Sequence, residues 1–441
     1  MFKFNRIFFI FSNFVISYLI FLLIYFIRYI TNIFPNIDKR ELNIIVLFIF
    51  AIYSLIIILL NISFKSYEIN KIYEIKESII GNVLISLISI GVIGGFYFFT
   101  KIDFPRFVFF SGFLLIPFIL SLWNKFLFYL ISYTKKPYKV FYIGNRENFN
   151  LLKELFDNFK KWLFIELFDI TDNVLTTVEK KECDLIIIDT DFNISDRTFE
   201  VVNDFEVKGG RIYTLVDMFS YFDQSLPAEI IKNKHFEIFS AYKLDSFYNK
   251  YIKRIGDILI SLILIILTSP VLLIVAFLIK ITSKGPIIYK QKRVGLLGKE
   301  FDMFKFRSMR IDAEKDGIKF TKENDTRITF IGKIIRPLRI DELPQLFNIL
   351  KGDMSFIGPR PERKELIEKI VKTVPLFKKR LLVKPGLTGW AQVKYTYVNS
   401  IEKMNKKLSY DLYYINNLSL MFDIKIVLYT LETVLFRRGA L

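Results

Sequence analysis

Two adjacent carboxylates, Asp341 and Glu342, stand in the stretch RPLRIDELPQLFNILKGDMSFIGPRP, residues 336–361. Arg336 and Arg339 precede them, Lys351 follows, and Arg360 is held between Pro359 and Pro361. Carboxylate and guanidinium groups gathered this closely suit an anionic phosphate substrate that must meet a carboxylate. Taken alone, the pair has an ordinary alternative, since acidic residues at a helix start serve as caps and dipole partners. Pro344 is tolerated in a first helical turn but not inside a helix. The spacing therefore predicts a helix from near Asp341 to about Leu350, closed at Lys351-Gly352. Such a helix end places partial positive charge beside Asp341 and helps keep it ionised.

Composition says where this chemistry takes place. Of 441 residues, 52% are hydrophobic and 17% aromatic, with 48 phenylalanines, which points to membrane association. Lys and Arg number 62 against 44 Asp and Glu, a net charge of +18. No basic run with interleaved aromatics resembles a nucleic-acid module, and a membrane protein needs cytoplasmic Lys and Arg in any case. A single cysteine, Cys183, rules out an intrachain disulfide and reads as a buried structural thiol before DLIIID. A single histidine, His235, excludes a multi-His zinc site, so any metal would be a hard, oxygen-ligated ion such as Mg²⁺.

Apolar runs at residues 7–27, 42–62, 79–99 and 107–123 predict four membrane crossings. Lys3, Arg6, Lys65, Lys71, Lys76, Lys125, Lys135, Lys136 and Lys139 would face one side, and Arg28, Lys39, Arg40, Lys101 and Arg106 the other. Nine against five places both ends of the bundle in the cytoplasm. Ser12 and Asn13 inside the first run either tie neighbouring helices or line a pathway. After Pro137 the runs KVFYIG, WLFIELF, DLIIID and RIYTLV alternate with segments of helical spacing, which predicts a small parallel α/β domain. Its first strand ends in Gly144-Asn145-Arg146, without the further glycines that bring backbone against a pyrophosphate.

From Ile258 to Ile279 the chain is apolar again, with Lys253, Arg254 and Asp257 before the run and Lys280 and Lys284 after it. Ser269-Pro270 lies in its middle. Pro270 removes a backbone hydrogen bond, and Ser or Thr hydroxyls can satisfy the freed carbonyls. Length permits a fifth crossing, while cations at both ends favour a re-entrant helix that returns to its own face. A hairpin follows in GPIIYKQKRVGLLGKEFDMFKFRSMR, with Gly295 and Gly298 in the turn. Its basic set, which includes Lys305 and Arg307, is either a solvated face or an attractor for lipid phosphate. The final helix, within MFDIKIVLYTLETVLFRR, either lies in the interface or packs on the core.

Residues 251–441 resemble the bacterial sugar transferase family, the monotopic polyprenyl-phosphate phosphoglycosyl transferases. The matching blocks are KRIGD with Ser269-Pro270, GPIIYKQKRVG, FDMFKFRSM, TRITFIGKIIRPLRIDELPQLFNILKGDMSFIGPRPE, KPGLTGWAQV and YDLYYINNLSLMFDIKI. The resemblance implies transfer of a sugar 1-phosphate from a UDP-sugar to undecaprenyl phosphate, with release of UMP. This is the first membrane step of exopolysaccharide, capsule or O-antigen synthesis, on the cytoplasmic face of the bacterial inner membrane. Carried over, Asp341 is the nucleophile that forms a phosphosugar-enzyme intermediate and Glu342 its partner, and both are candidates for holding Mg²⁺. Arg336, Arg360, Lys305 and Arg307 are candidates for binding substrate phosphate, and Pro344, Gly358, Pro359 and Pro361 shape the site. Ser269 and Pro270 break the re-entrant helix, and Lys253, Arg254 and Asp257 stand where it meets the membrane. Gly256 takes the place of an aromatic that the family often has before this aspartate.

The first 250 residues resemble the larger members of the family in architecture. The expected fold is thus a four-helix transmembrane bundle (1–134), a degenerate Rossmann-like α/β domain (135–248), and a mixed α/β catalytic domain (249–441) with a re-entrant helix over 255–281. Members built this way usually transfer glucose or galactose, with an N-acetylated or diamino sugar as the alternative. Expected partners are the UDP-sugar, undecaprenyl phosphate, the lipid bilayer, downstream glycosyltransferases and a second copy in a homodimer. Two rival classes remain. An inert scaffold of polysaccharide export should have lost a dyad carboxylate or Arg360, and all are present. A transporter should carry paired charges within its spans, and the sequence has none.

Overall fold

The computed structural model describes residues 6–30, 44–63, 66–67, 72, 74–100, 106–133, 138–157, 165–169, 183–189, 193, 195–231, 244–310, 325–395 and 401–435. The chain divides into two units, Met1–Asp189 with Asn193–Tyr213, and Thr190–Phe192 with Thr214–Leu441. The sole histidine and the terminal arginines lie outside the described residues.

Apolar runs of this length satisfy their own backbone only as helices in a membrane. The first unit opens with α1 (Arg6–Tyr25), α2 (Ile44–Ser63), α3 (Ile75–Thr100) and α4 (Arg106–Tyr133). Stretches Ile7–Tyr29, Ile44–Ile62 and Phe107–Ile131 are long and apolar enough to cross a membrane. Their shared core is aromatic: Phe21, Phe50, Tyr53 and Phe109 are buried together, Phe21 and Tyr53 edge to face at 4.9 Å between centroids. Buried amides tie the helices, Asn13 Nδ2 donating to Asn124 Oδ1 and Asn82 Nδ2 to Ser121 Oγ, each at 2.8 Å. Ser12 bonds its own helix at Phe9 O.

The same unit holds β1 (Tyr138–Ile143), α5 (Arg146–Asp157), β2 (Ile165–Asp169), β3 (Leu185–Ile188), α6 (Asp196–Val207) and β4 (Ile212–Thr214). Strand order is β2-β1-β3-β4, with β1 parallel to both β2 and β3. The order reverses at β1, and the crevice beside the carboxyl ends of β1 and β3 is where such sheets bind ligands. Here it is filled from within. Asp189 is buried there and accepts from Asn148 Nδ2 at 2.7 Å and Tyr142 OH at 3.2 Å. A Cβ on Gly144 would collide with Asp189 and Tyr142. Cys183, its thiol pushed up to about 12 by burial, donates to Leu185 O.

Of the expected strand RIYTLV only the first half is extended. Thr214 caps a helix by accepting from Asp217 N, Asp217 reaches back to Thr214 N, and Leu215 and Val216 fall into α7 (Leu215–Phe222). That helix belongs to the second unit, as does the segment after it. Leu226 N donates to Ser409 O, Trp390 Nε1 to Gln224 O, and Leu215, Met218 and Leu226 are almost fully buried.

The second unit continues with α8 (Lys253–Thr282), β5 (Ile288–Val294), β6 (Glu300–Phe306), α9 (Phe330–Ile335), α10 (Gln345–Lys351), β7 (Ser355–Ile357) and α11 (Lys364–Val371). After these come β8 (Gly386–Thr388), α12 (Trp390–Lys394), α13 (Ile401–Asn416) and α14 (Leu420–Leu435). The hairpin forms as expected, β5 antiparallel to β6 around a turn in which Gly298 takes φ +81°. The last helix packs on the core through Ile426 and Tyr429, the latter edge to face with buried Trp390. In α8, Pro270 has no N–H for Ile266 O, and Ser269 Oγ donates to that carbonyl at 2.8 Å.

Candidate active site

The dyad does not open an α-helix. Asp341 and Glu342 lie in a 3₁₀ turn, Ile340–Glu342, and α10 starts only at Gln345. Leu343 N–H reaches back three residues to Ile340 O, but Pro344 has no N–H to extend the ladder, so the α-helix begins after it. It closes at Gly352, φ +94°, as expected. Arg339, just before the turn, holds φ +54°, a left-handed conformation that costs a non-glycine residue energy and is typical of functional sites.

Glu342 is buried among cations. Its Oε1 accepts from Arg360 Nη2 at 2.6 Å and Lys305 Nζ at 3.0 Å, and Arg339 Nη1 lies 3.9 Å from Oε2. Burial alone would push this carboxyl up, yet Arg360 and Lys305 hold it well below the usual range. Asp341 differs. Its side chain makes no hydrogen bond or ion pair among the described residues. Burial and the neighbouring Glu342 charge push its carboxyl up to about 6, against the pull of Lys305, Arg336 and Arg360. The sequence led to the opposite expectation, because a helix end was visible in it and burial was not.

Each of these groups is positioned by backbone geometry. Lys305 comes from β6, which Asn348 of α10 ties down by accepting from Phe304 N at 2.9 Å and donating to Asp302 O at 2.7 Å. Arg360 comes from a loop crossed by KPGLTG. Gly358 N donates to Thr388 O and Gly386 N to Pro359 O. A Cβ on Gly358, Gly386 or Gly389 would collide with backbone atoms of the opposing strand, so only glycine permits the crossing. The other arm of Arg360, Nη1, donates to Gln392 Oε1 at 3.3 Å. The sequence alone assigns no role to Asn348 or Gln392; the spaced glycines facing a Gly-Pro-Arg-Pro turn are the signal it offers.

Arg307 is placed elsewhere. Its Nη2 donates to Ser283 O at 2.8 Å and Ser283 Oγ at 2.7 Å, which ties β6 to the end of α8. Lys253, Arg254 and Asp257 tie the other end. Lys253 pairs with Asp423 and bonds Tyr414 OH. Arg254 caps α10 through Ile349 O at 2.6 Å and Leu350 O at 2.8 Å. Asp257 accepts from Phe356 N at 2.8 Å and Ser355 Oγ at 3.1 Å. Both ends of α8 are therefore bonded to one unit, while Leu259, Ile266, Leu267, Leu273 and Phe277 between them are exposed.

A hard cation would fit here: among the described residues Asp341 has an unbonded carboxylate and Glu342 Oε2 has Arg339 as its nearest ion-pair partner, at 3.9 Å. No group of three or more His, Cys, Asp or Glu side chains occurs among the described residues, so substrate phosphate or water would complete the coordination.

A model of the bacterial sugar transferase family matches residues 248–437. Over 190 residues the chain is 46% identical to an Aeromonas hydrophila protein named UDP-N-acetylgalactosamine-undecaprenyl-phosphate N-acetylgalactosaminephosphotransferase, covering 43% of this chain and 45% of that one. Over 184 residues it is 42% identical to a Klebsiella pneumoniae UDP-glucose:undecaprenyl-phosphate glucose-1-phosphate transferase, covering 41% and 40%. The chain thus matches less than half the length of either relative. A third match, to the Streptococcus agalactiae galactosyl transferase CpsE, is 33% identical over 390 residues and takes in 78% of this chain and 83% of the relative. With a family match over the unit that holds the dyad and a relative aligned along most of both chains, this protein belongs to the bacterial sugar transferase family.

Proposed function

We propose that this protein transfers a sugar 1-phosphate from a UDP-sugar to undecaprenyl phosphate through a covalent intermediate on Asp341. The observation that carries this is the asymmetry of the dyad. Glu342 is locked among Arg360 and Lys305, while Asp341 faces the same cations with its carboxylate unbonded. In the first step an Asp341 oxygen bonds to the sugar-bearing phosphorus, and the bridging P–O bond breaks as UMP leaves with that oxygen. In the second, an oxygen of undecaprenyl phosphate attacks the same phosphorus and frees Asp341. Arg360, Lys305 and Arg336 offset the charge of the diphosphate and of the departing UMP. Mg²⁺ bound at Asp341 and Glu342 would supply further charge neutralisation at the phosphate oxygens.

We infer further that α8 is re-entrant and holds this site at the headgroup level of the cytoplasmic face of the inner membrane. A straight crossing would carry the two ends of α8 to opposite faces, yet Arg254 and Asp257 at one end and Ser283 at the other are bonded to the same unit. The α/β domain, its Rossmann-like crevice filled by Asp189, is non-catalytic. For the sugar we favour glucose or galactose, because the relative aligned along most of both chains is named a galactosyl transferase. The N-acetylgalactosamine name of the Aeromonas relative supports the second reading.

The test is turnover by purified protein with Mg²⁺, undecaprenyl phosphate and a panel of UDP-sugars, for wild type and Asp341→Asn. UMP release from one donor, lost in the variant, is the expected result. UDP release would mean direct glycosyl transfer and would refute the proposed chemistry, as would full activity of the variant. No turnover with any donor would favour an inert scaffold.

A further inference from the structure

Behind Arg360 lies a buried ionic network that the proposed chemistry does not touch. Pro359 and Pro361 have no N–H, so Arg360 supplies the one backbone donor of the Pro-Arg-Pro triplet, and its backbone is fixed largely through carbonyls. Each of four consecutive carbonyls accepts from a different donor. Pro359 O takes Gly386 N, Arg360 O takes Arg380 Nη2 at 2.9 Å, Pro361 O takes Arg293 Nη1 at 3.2 Å, and Glu362 O takes Val294 N. The two side-chain donors are charged and oriented by buried carboxylates. Arg380 Nε donates to Asp411 Oδ2 at 2.7 Å, with side chains 5% and 2% exposed. Arg293 and Lys407 lie 3.6 Å and 2.9 Å from the Glu362 carboxylate. Burial opposes ionisation of Glu362, but Lys407, Arg380 and Arg293 pull its carboxyl down to about 2.

We propose that Arg380 and Asp411 are positioning residues for Arg360, a role that rests on the proposed function of Arg360 in phosphate binding. Arg380 bridges the Arg360 carbonyl and a second element, because Asp411 belongs to α13. Asp411 is the carboxylate that Arg380 hydrogen-bonds, and a planar fork held at Nε aims its Nη2, so the Asp411 carboxylate helps fix where the Arg360 backbone sits. The Arg360 side chain must then span from that point to Glu342 Oε1 and Gln392 Oε1. Catalysis by prepositioned charge is sensitive to such offsets, since a displacement of about 1 Å can cost about 100-fold in rate.

A mutant cycle on the full-length protein in lipid vesicles tests this. Asp411→Asn removes the charge that orients Arg380, and Arg380→Lys keeps the charge but replaces the planar fork, whose Nε and Nη2 serve the two partners, with a single nitrogen, which makes it a second probe should Asn prove poorly folded. Each is measured in the wild-type background and in Arg360→Lys. In the wild-type background kcat/KM for the UDP-sugar should fall about 10- to 100-fold, chiefly in kcat. In Arg360→Lys, where the aimed fork is already gone, the further loss should be under about threefold. Equal losses in both backgrounds would overturn the proposal, because a purely structural role acts whatever occupies position 360. So would an undiminished kcat/KM in folded Arg380→Lys. Failure of the functional reading is separable: wild type would then release no UMP, and the coupling of 411 to 360 would be read from the same cycle in thermal midpoints.

Discussion

Asp341→Asn should stabilise the protein at neutral pH. Burial and Glu342 raise the Asp341 carboxyl from 3.8 to about 6. A group whose folded pKa is raised contributes most to stability below its unfolded pKa and loses that contribution as pH rises through the folded value. The carboxylate at pH 7 therefore costs on the order of 3 kcal/mol relative to a group that keeps its ordinary pKa, and well under about 1 kcal/mol at pH 4. Asparagine has the same shape without the charge, and Asp341 gives up no hydrogen bond to any described residue in the exchange. In a unit of this size each kcal/mol moves a thermal midpoint by about 2–4 °C. The assay is thermal unfolding of wild type and variant in detergent without divalent metal, at pH 7 and pH 4. The variant should gain about 6–12 °C at pH 7 and almost nothing at pH 4. Equal midpoints at pH 7, or the same gain at both pH values, would refute the idea that Asp341 is held ionised at an electrostatic cost.

The same shift sets an acid limb. At the lowest Mg²⁺ that supports turnover, kcat/KM for the donor should fall about tenfold from pH 7 to pH 5, and added metal should move the limb to lower pH; a flat profile would count against it. Gly386→Ala forces the KPGLTG crossing apart, and overpacking of this kind costs about 1–3 kcal/mol, measurable as a lower midpoint, with a larger proportional loss of UMP release as Arg360 shifts. Leu226→Ala, far from the dyad along the chain, should cost about 2–5 kcal/mol in the unfolding of the catalytic unit, because Leu226 is buried in that unit's core; an unchanged midpoint would detach the segment from it.

Much of the catalytic unit was legible in the sequence because its motifs encode geometry directly. The Ser269-Pro270 pair announced a freed carbonyl and the hydroxyl that satisfies it, and the Ile266 O contact is that bond. The hairpin followed from strand alternation around two glycines, and the α10 stop from Gly352. What failed to show was burial. Nothing in the letters Asp-Glu says that one carboxylate is clamped and the other left bare, since that depends on Lys305 and Arg360 arriving from distant elements. Arg307 reads as a member of a basic surface, but its bonds go to Ser283, the residue that caps the end of α8. The run RIYTLV read as one strand because its apolar pattern continues through Leu215. The Thr214–Asp217 capping box, three residues apart, was the competing local signal, and it prevailed.

The buried Asp189 has a consequence best put in terms of effective concentration. A carboxylate tethered at the crevice meets Asn148 and Tyr142 as an intramolecular ligand. Even a loose tether gives such a ligand an effective concentration of about millimolar, and a strand end holds it far more tightly than a loose tether. A free phosphate ester arriving there must displace an anion that never diffuses away. The crevice thus behaves as a receptor already occupied by its own chain.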